Sequence, residues 1–185
     1  MSAAAADILL AMAWIVVLAP GLAAVTAARP GARAGRFVFV TALLAAAWYL
    51  GELTGGRRAL HPALTAAGLA MATAGAALHR RARRALGPAF DTRVALPPGG
   101  ALATTGPYAV VRHPIYASVL LVATGTALAH CSAATLCLAV GLALGLGWKL
   151  RREEALLARS LGAAWAEYAA RVPAIVPRIT RAARR

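Results

Sequence analysis

The amino-acid sequence predicts an all-α integral membrane protein with five transmembrane helices. Its 185 residues are 61% apolar and have a mean hydropathy of +0.67, which lies outside the range of soluble domains. The net charge of +14 does not indicate nucleic acid as a partner, because the basic residues stand in short clusters between long uncharged stretches. The abundance of arginine and alanine is typical of a high-GC bacterial genome, so the expected location is a bacterial inner membrane.

Three apolar stretches in the N-terminal part predict the first three spans. They cover residues 8–28, 37–54 and 63–78, close to the ~20 residues with which an α-helix crosses ~30 Å of hydrocarbon. No basic residue precedes the first stretch, so we expect a retained span and not a removable signal peptide. Residues 1–103 are therefore interpreted as a three-span scaffold followed by a cytoplasmic loop.

The next uncharged segment, residues 115–148, is too long for one crossing and barely long enough for two. The arginines decide between these alternatives. Clusters at residues 29–36, 80–112 and 151–152 all lie on the cytoplasmic side only if the segment crosses twice. We therefore expect a helical hairpin that turns at residues 130–132, with the N-terminus outside and the C-terminus inside.

Charged and apolar residues alternate at helical spacing after the hairpin. The stretch from residue 150 to residue 170 predicts a cytoplasmic amphipathic helix, whose apolar stripe consists of Leu150, Leu157, Leu161, Trp165 and Tyr168. Glu154 falls on this stripe, and a carboxylate on a buried face requires a hydrogen-bonding or ionic partner, or a functional role. Residues 178–185 form a basic tail that we expect to lie against anionic lipid.

Polar motifs flank the predicted hairpin on its cytoplasmic side. They are Gly106-Pro107-Tyr108, Arg112-His113-Pro114-Ile115-Tyr116 and Glu153-Glu154. Pro114 suits the first helical position, so His113 is expected to cap the fourth span and to leave free amides that favour an anion. Taken singly, each residue has an ordinary explanation as an anchor at the membrane interface, as a helix cap or as a member of a surface ion pair. Cys131 and Cys137 are interpreted as small hydrophobic residues, and no metal site is predicted.

The order of these motifs resembles the C-terminal signature of isoprenylcysteine carboxyl methyltransferases and related phospholipid methyltransferases. After the Glu-Glu pair, the resemblance continues through Leu-Gly, Tyr168 and Val172-Pro173. It covers about residues 104–177, which we interpret as the catalytic region. The resemblance implies that the hairpin and the C-terminal helix enclose S-adenosylmethionine, with a cytosolic entrance for this cofactor. It also implies a separate opening to the bilayer for a lipid-like or prenylated small-molecule acceptor.

The resemblance further implies roles for individual residues. Arg171 and Tyr116 are the expected catalytic residues, with Arg171 holding an acceptor carboxylate because Ala174 stands where the family has a basic residue. Trp165 replaces a tyrosine of the family pattern. An ionised carboxylate needs no general base, so alignment and exclusion of water are the main requirements. The expected cofactor-binding residues are Tyr108, Arg112, His113, Tyr116, Glu153, Glu154 and Trp165.

Other functions fit part of the same pattern. Methyl transfer to a phospholipid amine or to a thiol is the nearest alternative, and an amine would first have to lose a proton. An NADPH-dependent reductase resembling the sterol reductases shares the Arg-His-Pro element, and a non-catalytic membrane protein would share only the scaffold. Glycines in the third span allow helix contact within or between chains, so no oligomeric state is predicted.

Overall fold

The structure is a computed structural model that describes residues 2–27, 61–86 and 102–178. These ranges contain five α-helices and a short 3-10 helix, Gly106–Ala109. The α-helices are α1 (Ala3–Ala27), α2 (Pro62–Leu86), α3 (Pro114–His130), α4 (Ala133–Leu161) and α5 (Ala163–Arg171). The all-α class predicted from the sequence is confirmed. The predicted second span, the arginine cluster at residues 29–36 and nearly all of the basic tail lie outside the described residues.

Helices α2 and α3 pack with their backbones in contact. A Cβ atom at Gly68 would lie 2.4 Å from the carbonyl oxygen of Gly125, and one at Gly125 would lie 2.5 Å from the carbonyl oxygen of Gly68. A Cβ atom at Gly75 would lie 2.9 Å from the carbonyl oxygen of Ser118. Glycine is therefore required at this crossing, where small residues let two helices approach closely.

Helix α1 covers the crossing of α2 and α3 with apolar side chains. Leu10 of α1 and Val122 of α3 are both fully buried. The indole Nε1 of Trp14 donates a hydrogen bond to Thr126 Oγ1 at 3.0 Å. This bond satisfies two polar groups inside an otherwise apolar core, where an unpaired donor would be costly.

The predicted hairpin turn is present at residues 130–132. Helix α3 ends at His130, and Cys131 adopts a left-handed conformation with φ of 48°. Ser132 caps α4 because its hydroxyl accepts a hydrogen bond from the amide of Thr135 at 3.2 Å, and the Thr135 side chain accepts one from the amide of Ser132. This reciprocal capping box starts the second arm immediately after the turn.

The second arm is longer than the sequence analysis predicted. Residues 150–161 do not begin a separate helix but continue α4, which ends only at Leu161. No proline or glycine interrupts this stretch before Gly162, whose φ of 53° suits glycine and breaks the helix. The predicted boundary at residue 150 was wrong, and α5 alone forms a separate amphipathic segment.

Among the described helices, α4 is long and apolar enough to cross a membrane, with a mean hydropathy of 1.7 over its most apolar part. Only 11% of that part is buried in the protein, so most of its apolar side chains are exposed on the surface of the described structure. Helix α3 and the segment Ala4–Ala19 of α1 are apolar but shorter. This pattern is consistent with a membrane protein.

Candidate active site

The side chain of Arg112 joins three parts of the chain just before α3. Its Nε and Nη2 donate to Glu154 Oε1 of α4, at 3.0 Å and 2.6 Å. Its Nη1 donates to the carbonyl oxygens of Ala169, at 2.9 Å, and Val172, at 2.6 Å. Four hydrogen bonds therefore use most of the five N–H groups of the guanidinium. Arg112, with 12% of its side chain exposed, clamps the end of α5 against α4.

His113 is the N-cap of α3, as predicted, and Pro114 follows at the first helical position. Its Nε2 lies 3.2 Å from Glu154 Oε1. Burial lowers the pKa of His113, and this effect outweighs Glu153 and Glu154, which act to raise it. A neutral imidazole that donates to a carboxylate carries its hydrogen on Nε2, so Nδ1 is left as an acceptor.

Tyr116 lies one turn into α3 and faces α4. Its hydroxyl donates to Glu153 Oε2, and its ring stacks on His113 with centroids 5.4 Å apart and an angle of 6° between the planes. Lys149 Nζ lies 5.3 Å from the centroid of the Tyr116 ring. The first turn of α3 therefore presents an aromatic face between a carboxylate and an ammonium group.

Lys149 was missed by the sequence analysis. It is the one lysine in the sequence and stands four residues before Glu153. Residues four apart lie on the same face of a helix, so this spacing could have placed Lys149 beside the predicted site. The isolated lysine lay at the end of an apolar run and matched no element of the motif.

Aromatic side chains close the site opposite α4. Tyr108, Trp165 and Tyr168 are all buried. The Tyr168 hydroxyl donates to the carbonyl oxygen of Tyr108 at 2.7 Å, and Trp165 meets Tyr168 edge-on with centroids 5.8 Å apart. The Arg112 guanidinium lies 5.6 Å from the centre of the Trp165 ring. Burial, followed by Glu153 and Tyr168, raises the pKa of Tyr108, which therefore stays protonated.

The segment after α5 returns to the start of α3. The amide of Arg112 donates to the carbonyl oxygen of Pro173 at 2.8 Å, and the amide of His113 donates to that of Ala174 at 2.9 Å. The sequence predicts free amides at this helix start, but the amide of the N-cap residue His113 is bonded to a backbone carbonyl of the C-terminal segment.

The structure brings most of the predicted site residues together. The polar cluster comprises Tyr108, Arg112, His113, Tyr116, Glu153, Glu154 and Trp165, together with Lys149 and Tyr168. Arg171 does not belong to it. The Arg171 side chain is 69% exposed and pairs with the exposed Glu167 one helical turn earlier, at 3.4 Å.

An apolar groove of about 770 Å³ lies on another face of α3, within the size range of small-molecule sites. It is bounded by α2, the 3-10 helix, α3 and residues 175–177. Among the described residues that line it, Arg81 is the charged one. Val111 and Ala117 also line the groove, so it borders the segment that carries Arg112 and Tyr116.

No group of three histidine, cysteine, aspartate or glutamate side chains that could hold a metal ion occurs within residues 2–27, 61–86 and 102–178. The chemistry of the polar cluster is instead that of carboxylates, one ammonium and aromatic faces.

Comparison with known proteins gave two matches. The model of the isoprenylcysteine carboxyl methyltransferase (ICMT) family matches residues 68–159, which include α3 and both glutamates of the cluster. The cobalt-zinc-cadmium resistance protein CzcN of Cupriavidus metallidurans is 40% identical over 80 residues, or 43% of this chain. The match spans only 37% of that relative. No solved structure matched the chain.

Proposed function

Through residues 68–159 the chain belongs to the isoprenylcysteine carboxyl methyltransferase family, and we propose that it transfers a methyl group from S-adenosylmethionine to a hydrophobic or lipid-linked acceptor. Carboxyl O-methylation of an isoprenylcysteine-like acceptor is the leading reaction. The observation that carries the proposal is the meeting of α3 and α4, where Arg112 and His113 contact Glu154 and Tyr116 contacts Glu153.

The polar cluster fits the chemical groups of S-adenosylmethionine. The faces of Tyr116 and Trp165 suit a sulfonium cation. Glu153, and the oxygen of Glu154 that Arg112 does not contact, suit an ammonium group or ribose hydroxyls. The ammonium of Lys149 suits the cofactor carboxylate, since most donors of Arg112 are already engaged. When bound, the cofactor supplies an electrophilic methyl group on a positively charged sulfur.

The contribution of the protein to carboxyl methylation is alignment and exclusion of water. An acceptor carboxylate with a pKa near ~4 is ionised at neutral pH, so no group need remove a proton. Arg112 fixes α4 and the end of α5 relative to α3. Tyr108, Trp165 and Tyr168 are buried beside it and keep water from the reacting groups.

One observation favours the alternative acceptor class. The Nε2 of His113 faces Glu154, which leaves Nδ1 of the neutral imidazole as the proton acceptor that a phospholipid amine or a thiol would require. The pH–rate profile separates the classes. Carboxyl methylation should be nearly independent of pH between about 6 and 8, whereas amine methylation should rise with pH.

We further propose a five-span topology with the active site facing the cytoplasm of a bacterial inner membrane. The groove joins Arg81, near the end of α2, to the start of α3, and Arg112 joins the start of α3 to the charged part of α4. These arginine-bearing helix ends therefore lie on one side, which supports a cytoplasmic placement. Reporter fusions after Leu86 and after Arg185 should report the same compartment, and opposite compartments would contradict the topology.

Cofactor identity is tested by titrating the purified protein in detergent with S-adenosylmethionine and with NADPH. We expect heat of binding with the first compound alone. NADPH binding without S-adenosylmethionine binding would favour the sterol-type reductase alternative.

The reaction is tested with a labelled methyl donor and a prenylcysteine-like acceptor. A carboxyl ester should release its label as methanol after treatment with base, whereas N- and S-methyl products should retain it. No turnover of any carboxylate acceptor would remove carboxyl methylation as the leading reaction.

A further inference from the structure

The apolar groove has one charged residue, Arg81, among its described lining residues. Most of its walls are aliphatic side chains or small residues, and the larger ones are Met71, Leu78, Leu120, Leu121, Ile175 and Val176. Arg81 lies three residues after Leu78 on α2, so the apolar wall leads directly to a guanidinium group. An apolar surface that carries one cation is complementary to a hydrocarbon chain with an anionic head.

We propose that this groove binds a single-chain anionic amphiphile, with its hydrocarbon chain against the groove-lining side chains of α2 and α3 and its head on Arg81. Its identification as the methyl acceptor rests on the proposed function, whereas its binding does not. Arg81 is then the residue that selects a carboxylate head over a neutral one.

The groove and the polar cluster are built on the same short segments of the chain. Gly106 and Pro107 line the groove and directly precede Tyr108 of the cluster. Residues 175–177 line it as well, and they follow the two carbonyls that bind the amides of Arg112 and His113. A head held by Arg81 therefore arrives beside the segment that carries the cluster.

Arg81, and not Arg171, becomes the residue expected to hold the acceptor head. The sequence predicts this role for Arg171, but its side chain is exposed and paired with Glu167, and it does not line the groove. Arg81 is exposed as well, but it lines an apolar cavity. Apolar walls exclude water around one side of a bound carboxylate and strengthen its attraction to the guanidinium.

The experiment uses a palmitic acid that carries a photoreactive diazirine, in phosphatidylcholine nanodiscs that contain the full-length protein and no S-adenosylmethionine. After irradiation, mass spectrometry identifies the labelled peptides. We expect the label on residues 71–78 and 117–124. Arg81→Gln should lower this labelling about tenfold, equivalent to ~1.4 kcal/mol for a lost charge-assisted hydrogen bond.

Three variants and one further probe serve as controls. Arg84→Gln removes a charge from the same exposed helix end without touching the groove, and Arg171→Gln removes the alternative cation. Both should retain full labelling. Thr124→Trp narrows the groove and should reduce labelling by the acid and by its neutral alcohol analogue. Arg81→Gln should not change labelling by the alcohol.

Several results would overturn the inference. Equal losses in Arg81→Gln and Arg84→Gln would indicate general attraction to a basic surface, and a loss in Arg171→Gln alone would move the head to Arg171. Label spread along the exposed residues of α4 would indicate ordinary lipid contact. Normal groove labelling without methyl transfer would contradict the proposed function alone, and methyl transfer without groove labelling would contradict this inference alone.

Discussion

Arg112 and Glu154 are 42 positions apart in the sequence and are joined by two hydrogen bonds to the same carboxylate oxygen. His113 Nε2 lies 3.2 Å from that oxygen as well. Helix α4 is therefore tied to the start of α3 through one atom of Glu154. Nη1 of Arg112 donates to the carbonyl oxygens of Ala169 and Val172, so the same side chain also fixes the end of α5.

Replacing Arg112 by lysine should destabilise the protein although the charge is kept. The donors of lysine sit on a single nitrogen, which cannot serve Glu154 and both carbonyls together. We expect a loss of about 2 kcal/mol, from partly buried groups left without partners. Thermal unfolding in detergent should show a melting temperature lower by several degrees. Arg159→Lys, on the exposed surface of α4, is the control, and equal melting of both variants would contradict the clamp.

Acidification should destabilise the protein through His113. Burial lowers the pKa of His113 in the folded chain, so the unfolded chain binds the proton first as the pH falls through about 6.5. The free energy of unfolding is unaffected by this group at higher pH and declines below that value. His113→Gln keeps a donor for Glu154 but does not titrate, so its melting temperature should fall less between pH 7.5 and pH 5.5. Parallel pH profiles of the two proteins would refute this assignment.

Glu153 should contribute to cofactor binding through its charge. Glu153→Gln keeps the size of the side chain and removes its negative charge, so we expect S-adenosylmethionine to bind about tenfold more weakly, equivalent to ~1.4 kcal/mol. Isothermal titration calorimetry in detergent measures this change. Glu167→Gln, on the exposed face of α5, should bind the cofactor as the parent does. An unchanged affinity in Glu153→Gln would make Glu153 only a partner of Tyr116.

Lys149 should affect the same affinity by a different route. Lys149→Met keeps the length and apolar stem of the side chain but removes the ammonium group above the Tyr116 ring. If this group holds the cofactor carboxylate, binding of S-adenosylmethionine should weaken about tenfold, whereas binding of its decarboxylated analogue should change little. A similar loss for both compounds would indicate that Lys149 only supports the ring of Tyr116.

Two glycines should differ sharply in their tolerance of a methyl group. Gly125→Ala places a Cβ atom 2.5 Å from the carbonyl oxygen of Gly68, so α2 and α3 must separate at a cost of about 1–3 kcal/mol. At Gly141 of α4, a Cβ atom meets nothing within 4 Å among the described residues. Gly141→Ala should therefore melt as the parent does. The measurement is thermal unfolding in detergent. Equal melting temperatures of the two variants would contradict the close contact of α2 and α3 at Gly125.

Local chemistry made part of this structure predictable. Pro114 after His113 marks the start of α3, and a short polar interruption at residues 130–132 marks the hairpin turn. The spacing of the Arg-His-Pro-x-Tyr and Glu-Glu elements then places both at the same end of the hairpin. These features depend on side-chain types whose conformational or capping preferences are strong.

Other features required the folded chain. The carbonyl oxygens of Ala169, Val172, Pro173 and Ala174 act as acceptors, but a carbonyl has the same chemistry at every position. The exposure of Arg171 depends on the face of α5 that packs inward. The charged end of α4 contains no proline or glycine, so the sequence does not show where its apolar part gives way to the charged part of the same helix. The groove arises from three separated segments and leaves no local pattern.

The hydrogen bonds from Arg112 and His113 to the carbonyls of Pro173 and Ala174 also impose an order on biosynthesis. The ribosome translates both arms of the hairpin before it reaches these carbonyls. During that interval the nascent chain can already form α3 and α4, but the amides before α3 still lack these partners. The contacts are completed only when the last of these residues leaves the ribosome, so a chain arrested shortly before residue 172 would contain both helices without a finished polar cluster.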